Sequence, residues 1–432
     1  MLVGLLVVAA TSVGHDASAA VRAGSSLAGQ KLEVAGTWSG AEEKSFRAVI
    51  DRFEQETGAK VTYTSAGDNL APTLMARVDQ GNPPDVAMVP QPGLLADLAA
   101  KGALVPIEDA AGAKVDANYS SIWRKLGSVD GTLYGVWFKA ADKSLWWYDA
   151  RVFDRVGVTP PATLRGLLSS ASRIADSGVT PLSVGGADGW TLTDQFENLY
   201  LASAGPKKYD QLADHEIPWT DFSVTAALRS MGKLLQPQLV AGGAAGALRN
   251  DFKASVRQVF ATPPTAAMVM EGDFVAGVIA SETNATVGRR AKVFAYPAAT
   301  ATSAKPVIVG GDAAVLMRDS AAGRAFVEFL ATPAAAAAWV ERGGFISPNR
   351  NVPLRSYPDA VTRSIARQVI AVREGLRFDL SDLQPAAFGA TAGSGLWQAF
   401  QDFLANPADV AGAAAAMEAG AVRAYGPEPT GS

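Results

Sequence analysis

The sequence predicts an α/β fold in which sheets flanked by helices are divided between two lobes. From Lys31 onward, short apolar segments with strand character alternate with amphipathic helical segments. This alternation is typical of a mostly parallel sheet with helices on both faces. The chain has 432 residues, which is more than one hydrophobic core usually holds. We therefore expect two lobes and a ligand site beyond the carboxyl ends of the strands.

The first strands and helices have clear boundaries in the sequence. Strands are predicted at 32–35, 61–63 and 86–89. The helix after the first strand begins at a predicted capping box formed by Ser39 and Glu42, and it ends at Gly58. Its apolar side chains recur with helical spacing and give one face for packing on the sheet, namely Phe46, Val49, Ile50 and Phe53.

The rest of the chain predicts the second lobe and the return to the first. Asp130-Gly131 is a turn signal, and the extended run after it is expected to cross between the lobes. Strands are predicted at 266–270 and 306–309, the second of which ends in a loop at 310–312. Lobe I is assigned to 31–138 plus 305–345, and lobe II to 139–304 plus 346–426. Residues 427–432 are expected to be disordered.

The N-terminal 30 residues are interpreted as a signal peptide and a short lead-in. An apolar stretch at 2–10 precedes Ala17-Ser18-Ala19, a small-residue pattern suited to cleavage on export, although no basic region comes before it. The absence of cysteine excludes disulfides, thiolate metal sites and lipid attachment through a cysteine. We therefore expect an exported protein without a lipid anchor.

Composition excludes several classes of function. The net charge is −4 and charged residues make up 19% of the chain, with both signs interspersed, so no basic surface for nucleic acid is expected. A Ser-His-Asp relay outside the leader would depend on His215 alone. Glycine-rich nucleotide-binding loops and metal-ligand clusters are not found, so no cofactor and no metal are predicted.

Aromatic and amide side chains follow the first and third strands. Trp38 and Ser39 lie in the first strand-to-helix loop, and Gln91 lies between Pro90 and Pro92. An indole ring suits the apolar face of a sugar, and a planar amide can both donate to and accept from sugar hydroxyls. Trp38 could equally serve only to cover its own helix.

Acids and aromatic residues also follow later strands. Trp190 and Asp194 belong to a polar and aromatic patch at the start of a predicted helix. Asp194 could also have only a structural role there, as an acid whose charge the helix dipole stabilises. The segments after the strands at 266–270 and 306–309 pair glycine with an acid, which lets the backbone approach a ligand. From them we select four candidate ligand-binding residues, namely Glu271, Asp273, Gly311 and Asp312.

Together these segments resemble the extracellular solute-binding proteins of ABC importers, in the large sugar-binding family 1 and closest to its α-glucoside-binding branch. The resemblance covers nearly the whole mature chain. It depends on the following motifs: Gly36-Thr37-Trp38-Ser39-Gly40, Asn82-Pro83-Pro84-Asp85-Val86, Gln91-Pro92-Gly93, Tyr134-Gly135-Val136-Trp137, Pro160-Pro161 with Thr163, Glu271-Gly272-Asp273-Phe274 and Gly310-Gly311-Asp312-Ala313.

The resemblance implies a two-lobe periplasmic-binding-protein-like fold of type II, in which crossover strands form a hinge and the lobes close on a saccharide. It also implies delivery of that saccharide to the transmembrane subunits of a permease, by a monomer. Positions that match the sugar-contacting segments of the family add Trp137, Phe138 and Phe274 to the candidates above. Many relatives carry an acid where Gln91 stands, and the lack of a lipid-anchoring cysteine favours a periplasm.

The sequence thus predicts a non-catalytic receptor for a di- or oligosaccharide, with an α-glucoside as the expected class. One alternative is a glycoside hydrolase that uses two carboxylates, such as Glu271 with Asp273 or Asp312. Another is a receptor for a small anion or a peptide-like solute, held at helix N-termini.

Overall fold

The computed structural model describes residues 27–371 and 376–426. The predicted leader falls almost wholly, and the predicted disordered tail at 427–432 falls wholly, outside these residues. The described strands are β1 (Lys31–Gly36), β2 (Lys60–Ser65), β3 (Val86–Val89), β4 (Ser128–Val129), β5 (Thr132–Leu133), β6 (Gly135–Asp142), β7 (Leu145–Asp149), β8 (Leu182–Ser183), β9 (Met268–Met270), β10 (Ala291–Ala295), β11 (Ile308–Leu316) and β12 (Arg377–Phe378).

Helices occupy most of the chain between these strands. They are α1 (Ala41–Thr57), α2 (Leu70–Asp79), α3 (Pro92–Ala100), α4 (Ala113–Asn118), α5 (Ser121–Leu126), α6 (Ala150–Val156), α7 (Leu164–Asp176), α8 (Trp190–Ala213), α9 (Phe222–Leu234), α10 (Gly243–Ala247), α11 (Phe252–Phe260), α12 (Val275–Glu282), α13 (Ala321–Leu330), α14 (Pro333–Val340), α15 (Ala360–Ala371), α16 (Leu380–Leu383), α17 (Ala386–Gly389), α18 (Gly395–Ala405) and α19 (Val410–Tyr425). Within residues 27–371 and 376–426, no helix has the length and apolarity needed to cross a membrane.

The larger sheet has the strand order β12-β11-β3-β1-β2, and β6 also pairs with β11. Strands β1, β2 and β3 are parallel, as predicted, whereas β11 runs antiparallel to both β3 and β6. The reason lies in the connections, because β6 leaves this sheet for the other one and β11 returns from it. The chain leaves the larger sheet at the carboxyl end of β6 and re-enters it at the same end, so β11 must run antiparallel to β6. The sheet is therefore mixed, whereas the sequence predicts a mostly parallel one.

The smaller sheet has the order β10-β7-β9-β8 and is also mixed, with only β8 and β9 parallel. We call the part around the larger sheet lobe I and the part around the smaller sheet lobe II. Three connections link the sheets, and we call them the hinge: residues 143–144, residues 296–307 and the segment that follows β12. Helices α18 and α19 then pack near α8 and α9; for example, the rings of Phe196 and Phe400 are 5.1 Å apart.

The predicted α/β class is confirmed. Two of the observed strands, β6 and β12, differ from the division of the chain into lobes that the sequence predicts. Strand β6 stays in the larger sheet through Asp142, four residues beyond the predicted boundary at 138. Strand β12 pairs with β11, although its residues fall within the second segment predicted for lobe II. The division into lobes by residue number therefore stays a prediction.

The apolar face predicted for α1 is confirmed, since all four of its predicted side chains are buried. The helix also ends as predicted at Gly58, whose left-handed backbone (φ 78°) closes the last turn. The predicted capping box is wrong, because Gly40 precedes the first turn and no side chain caps it. Glu42 is used elsewhere, as its Oε1 lies 2.6 Å from the Nζ of the buried Lys139.

The loop predicted at 310–312 is also wrong, because β11 continues through these residues to Leu316. A side chain at Gly310 would place its Cβ 2.8 Å from the Cε of Lys143, and one at Gly311 would overlap the carbonyl oxygen of Lys139. The two glycines therefore let β6 and the lysine after it approach β11 closely. An irregular register between Asp312 and Ala313 follows immediately.

Substitution of Gly93, in the first turn of α3, tests how closely this helix of lobe I packs against the third hinge connection. A Cβ at this position would overlap the backbone carbonyl of Gln384, just after α16. We expect Gly93→Ala to lower the free energy of unfolding in urea by about 1–3 kcal/mol or more, because neither backbone can move freely. Ala100→Ser, at an exposed position at the end of the same helix, should stay within about 0.5 kcal/mol. Equal unfolding midpoints for Gly93→Ala and the unmodified protein would contradict this packing.

Candidate functional site

A cavity of about 380 Å³ lies between the two sheets and receives side chains from both lobes and from the hinge. Its volume falls in the lower part of the range of small-molecule sites, which is about 300–1,000 Å³. The residues that line it include Trp38, Ser39, Glu42, Asp68, Gln91, Lys139, Lys143, Asp188, Trp190, Phe252, Lys253, Phe274, Gly311, Asp312, Ser381, Asp382 and Trp397.

The structure brings seven of the twelve candidate residues together around this cavity. The seven that line it are Trp38, Ser39, Gln91, Trp190, Phe274, Gly311 and Asp312. The other five lie behind its lining, and they are Trp137, Phe138, Asp194, Glu271 and Asp273. Contact of any of them with a ligand stays a prediction.

Aromatic rings form part of the cavity wall on both sides. In lobe I, Trp38 is fixed by ring contacts to Phe46 and Trp339, at centroid distances of 4.7 and 4.8 Å. In lobe II, the ring of Trp190 lies 6.0 Å from that of Phe274. Rings held by such packing present a preformed apolar surface, and a bound ring-shaped solute could contact it from either lobe.

Gln91 is the clearest unsatisfied acceptor in the lining. It lies directly before α3, and its side chain makes no capping hydrogen bond there. Its Oε1 is buried, and no group of the described residues donates to it. A buried amide oxygen of this kind is satisfied by a donor from water or from a ligand hydroxyl.

Lys139, in the middle of β6, supplies a buried positive charge beside Asp312. Its ammonium forms an ion pair with Glu42 and lies 5.8 Å from the ring centroid of Trp38 and 5.4 Å from that of Trp339. Burial raises the pKa of Asp312 to about 6, although the charge of Lys139 and a hydrogen bond from Trp38 act to lower it. Asp312 can therefore offer the cavity either a carboxyl or a carboxylate near neutral pH.

A second buried lysine, Lys143, lies where the chain first crosses between the lobes. Its Nζ is 2.5 Å from Asp379 Oδ2, 3.2 Å from Asp194 Oδ1 and 3.8 Å from Asp382 Oδ2. Glu197 approaches the same group and accepts hydrogen bonds from two backbone amides at the start of α16, at 2.9 and 3.0 Å. We call these residues, together with Glu271, the Lys143 cluster: Lys143, Asp194, Glu197, Glu271, Asp379 and Asp382.

The carboxyl groups of the Lys143 cluster have different protonation preferences. Burial opposes ionisation of Asp379, but the charge of Lys143 and hydrogen bonds that include one from Ser381 lower its pKa to about 2. Burial and the neighbouring acids instead raise the pKa of Asp194 and of Asp382 well above the ordinary range. One ionised acid thus balances the lysine, and its neighbours keep protons.

Carboxylate oxygens of Asp194, Glu197 and Asp379 lie within 4.8 Å of one another, a spacing that a divalent cation could also use. Within this group the positive charge comes from the ammonium of Lys143, which contacts two of the three acids directly. The spacing is therefore explained by the protein's own cation, and we assign no metal to it.

The two lobes also meet at the mouth of the cavity. Asp68, in the 3₁₀ turn after β2, accepts a hydrogen bond from the side chain of Trp190, at the start of α8. Asp188 lies close by and accepts a 2.7 Å hydrogen bond from the amide of Phe252. Lobe I and lobe II are therefore joined here by one hydrogen bond, from the indole of Trp190 to Asp68, with Asp188 of lobe II close to it.

Three of the five candidates behind the lining, Trp137, Phe138 and Asp273, support the crossing strand β6. Asp273 Oδ1 accepts a 2.7 Å hydrogen bond from the amide of Asp142, at the end of β6. Trp137 packs on Phe378, with ring centroids 5.1 Å apart, and Phe138 packs at the same distance on Phe345. These residues hold the crossing strand in place beneath the site.

Sequence reasoning missed several acids and the lysine that lie at or directly behind the cavity lining. Lys143 lies between β6 and β7, two strands that are buried along their whole length. A lysine in such a position indicates a buried ammonium that is paired with a carboxylate. Asp379 and Asp382 follow the two-residue strand β12, which is too short to be recognised from its sequence. Asp68 and Asp188 lie in turns and carry no pattern of their own.

Comparison with known proteins places the chain among binding proteins. Residues 37–337 match the family model described as bacterial extracellular solute-binding protein. The osmoprotective compounds-binding protein GgtB of Synechocystis sp. is 33% identical over 381 residues, covering 87% of this chain and 89% of that protein. The alpha-glucosides-binding periplasmic protein AglE of Rhizobium meliloti is 34% identical over 404 residues, covering 90% and 87%.

Solved structures confirm the two-lobe fold. A chitin oligosaccharide binding protein superimposes with a TM-score of 0.79 at 18% identity, covering 91% of this chain and 98% of that one. RafE in complex with raffinose gives a TM-score of 0.73 at 17% identity, covering 90% and 98%. At such identities the likeness is one of fold.

Asp273 provides a pH test of the buried acids. Burial raises its pKa to about 7, so the folded protein binds more protons than the unfolded chain between the ordinary carboxyl pKa, about 4, and pH 7. Its contribution to the free energy of unfolding therefore falls as the pH rises through this window. Asp273→Asn should be more stable relative to the unmodified protein at pH 8 than at pH 5, by on the order of 2 kcal/mol.

Urea unfolding at both pH values measures this difference. Asp402→Asn is the matched control, since Asp402 is exposed and its carboxylate accepts a hydrogen bond from Gln398. The control should change stability equally at pH 5 and pH 8. A pH-independent effect of Asp273→Asn would show that this carboxyl is ionised throughout.

Proposed function

We propose that this chain, which belongs to the family of bacterial extracellular solute-binding proteins, is the receptor of an ABC importer and binds a saccharide between its lobes. The observation that carries the proposal is the chemistry of the cavity. Aromatic rings line it from both lobes, and Gln91 and Asp312 offer buried polar oxygens beside them. Rings for the apolar face of a sugar and oxygens for its hydroxyls are what a saccharide site requires.

An α-glucoside is the proposed class of ligand. AglE, at 34% identity over most of both chains, is named for binding alpha-glucosides, and GgtB is named for binding osmoprotective compounds. The cavity of about 380 Å³ favours a compact glycoside such as a disaccharide over a long oligosaccharide.

The proposed cellular role is that of an extracytoplasmic, monomeric receptor that gives its ligand to a permease. Family membership supports the place and the partner. Hinge closure around the ligand would present both lobes to the permease together.

The chemistry of the cavity gives less support to the alternatives. Of the two pairs of acids predicted for a hydrolase, Glu271 with Asp273 or with Asp312, only Asp312 lines the cavity, and the relatives of this chain are named for binding. An anion receptor would need an excess of positive charge, whereas six acids and three lysines of the described residues line the cavity, and two of those lysines, Lys139 and Lys143, are paired with carboxylates. We therefore propose a binding function without catalysis.

Calorimetric titration tests the proposed function. The panel consists of maltose, sucrose and trehalose as α-glucosides, cellobiose and lactose as β-linked disaccharides, and glycine betaine as a zwitterionic osmolyte. We expect at least one α-glucoside to bind with a Kd of about 1 μM, which corresponds to about −8 kcal/mol. Binding of glycine betaine alone, or of no compound in the panel, would contradict the proposal.

Gln91 provides a test of the site itself. Gln91→Ala should weaken binding of the best α-glucoside by about 1–3 kcal/mol, because a ligand hydroxyl loses its buried partner. Stability without ligand should change little, since the Oε1 of Gln91 has no donor among the described residues. Gln80→Ala, at an exposed position after α2, should leave the affinity unchanged. The same affinity for Gln91→Ala and the unmodified protein would place the ligand elsewhere.

A further inference from the structure

We propose that Trp397 is a further ligand-binding residue of the cavity, whose indole N–H donates a hydrogen bond to a hydroxyl of the bound glycoside. This inference rests on the proposed function, because it concerns the same cavity. Trp397 lies beyond residues 37–337, which match the family model, and it belongs to none of the motifs that carry the family resemblance. Family membership alone therefore assigns it no role.

Trp397 lies in the first turn of α18 and is held closely against the start of α8. It is only 4% exposed, and it lines the cavity. A side chain at Gly189, the residue before α8, would place its Cβ 2.6 Å from the Cβ of Trp397. Gly189 also has a left-handed backbone (φ 79°), which favours glycine there for a second reason. Trp190 and Trp397 therefore enter the lining side by side, from the first turns of two packed helices.

Three tryptophans of the described residues line the cavity, and their N–H groups are used differently. The indole of Trp38 donates to Asp312. The indole of Trp190 donates to Asp68. The Nε1 of Trp397 is buried and has no acceptor among the residues that the structure describes. A buried N–H group without an acceptor costs free energy, which a ligand that supplies an acceptor recovers. Of the three indoles, that of Trp397 is therefore the one whose donor is available to a ligand.

The unpaired donor of Trp397 complements the unpaired acceptor of Gln91 in the same lining. Gln91 is 7% exposed, and its Oε1 has no donor among the described residues. A hydroxyl group both donates and accepts, so a ligand rich in hydroxyls satisfies both side chains. Glycine betaine has a carboxylate that could accept from Trp397, but it has no N–H or O–H to donate to Gln91. The two unpaired groups therefore favour a polyhydroxy ligand over this osmolyte.

The position of Trp397 in the lining distinguishes it from other indoles of the chain. Trp137, Trp146 and Trp219 also have a buried Nε1 without an acceptor among the described residues, but none of them lines the cavity. Trp219 is fully buried in lobe II, where its ring packs among three phenylalanine rings. An unpaired indole alone does not define a site, and Trp219 provides the matched comparison for Trp397.

Calorimetric titration of Trp397→Phe tests the assigned hydrogen bond. Phenylalanine keeps an aromatic ring in the lining but removes the N–H group. We expect the α-glucoside that binds best to the unmodified protein to bind this variant about tenfold more weakly, because a sugar hydroxyl loses its buried donor. Trp219→Phe is the matched control, since it makes the same change away from the cavity, and it should leave the affinity unchanged.

Deoxy analogues of the same sugar separate a lost hydrogen bond from a loss of packing. Each analogue replaces one hydroxyl by hydrogen. The analogue that lacks the hydroxyl in contact with Trp397 should bind the unmodified protein about tenfold more weakly than the parent sugar does. For that analogue alone, Trp397→Phe should cause no further loss, whereas every other analogue should lose about tenfold, as coupled changes at one contact are not additive.

Two outcomes overturn the inference. One is a Trp397→Phe variant that binds the sugar with the affinity of the unmodified protein. The other is an equal loss of affinity for the parent sugar and all its deoxy analogues, which would show a purely structural role. If Trp397→Phe does not fold, a crystal structure of the unmodified protein with the sugar decides. A sugar hydroxyl within about 3.2 Å of the Nε1 of Trp397 supports the inference, and the lack of one refutes it. Failure of every sugar to bind the unmodified protein would instead refute the proposed function.

Discussion

The pairing of a buried lysine with acids from separate segments is the interaction on which the rest of this structure depends. Lys143 lies in the short connection between β6 and β7, and every residue of these two strands is buried. A buried ammonium without partners would cost several kcal/mol, and removing one partner of a buried pair costs about 3–5 kcal/mol. The third hinge connection must therefore bring Asp379 to within 2.5 Å of the lysine, and α8 must bring Asp194 to within 3.2 Å. The ammonium of Lys143 therefore holds α8 of lobe II and the third hinge connection in a fixed relative position.

The same constraint shapes the cavity. Strand β6 carries Lys139 near its middle and is followed by Lys143, and β11 runs beside both. Gly310 and Gly311 are required there because side chains would collide with Lys143 and with the backbone of Lys139. Asp312 then comes beside Lys139, with its pKa raised by burial to about 6. The packing of β11 against Lys139 and Lys143 therefore fixes the position of Asp312 in the cavity lining without a ligand.

These relations also explain how much the sequence could predict. The apolar face of α1 and its end at Gly58 depend on local periodicity and backbone preference, so they were predicted correctly. The loop expected at 310–312 is wrong because a glycine pair before an acid also fits a strand, and here the glycines allow close contacts with residues about 170 positions earlier in the chain. Of the candidate residues in strand-to-helix loops, Trp38 and Gln91 line the cavity, whereas Glu271 and Asp273, in the loop after β9, lie behind the lining. The pairing of Lys143 with Asp194 and Asp379 could not be predicted, because these residues meet only through the path of the whole chain.

The neutral side chain of Gln91 follows from the charge balance of the cavity. The family resemblance leads one to expect an acid at this position. The lining already contains six acids, namely Glu42, Asp68, Asp188, Asp251, Asp312 and Asp382, against three lysines, namely Lys139, Lys143 and Lys253. Another buried carboxylate would lack a cation and would hold its proton, so it would offer a ligand little more than an amide does. An amide presents an acceptor and a donor at every pH. The amide of Gln91 thus presents a donor and an acceptor that do not depend on protonation, beside acids such as Asp312, whose pKa burial raises to about 6.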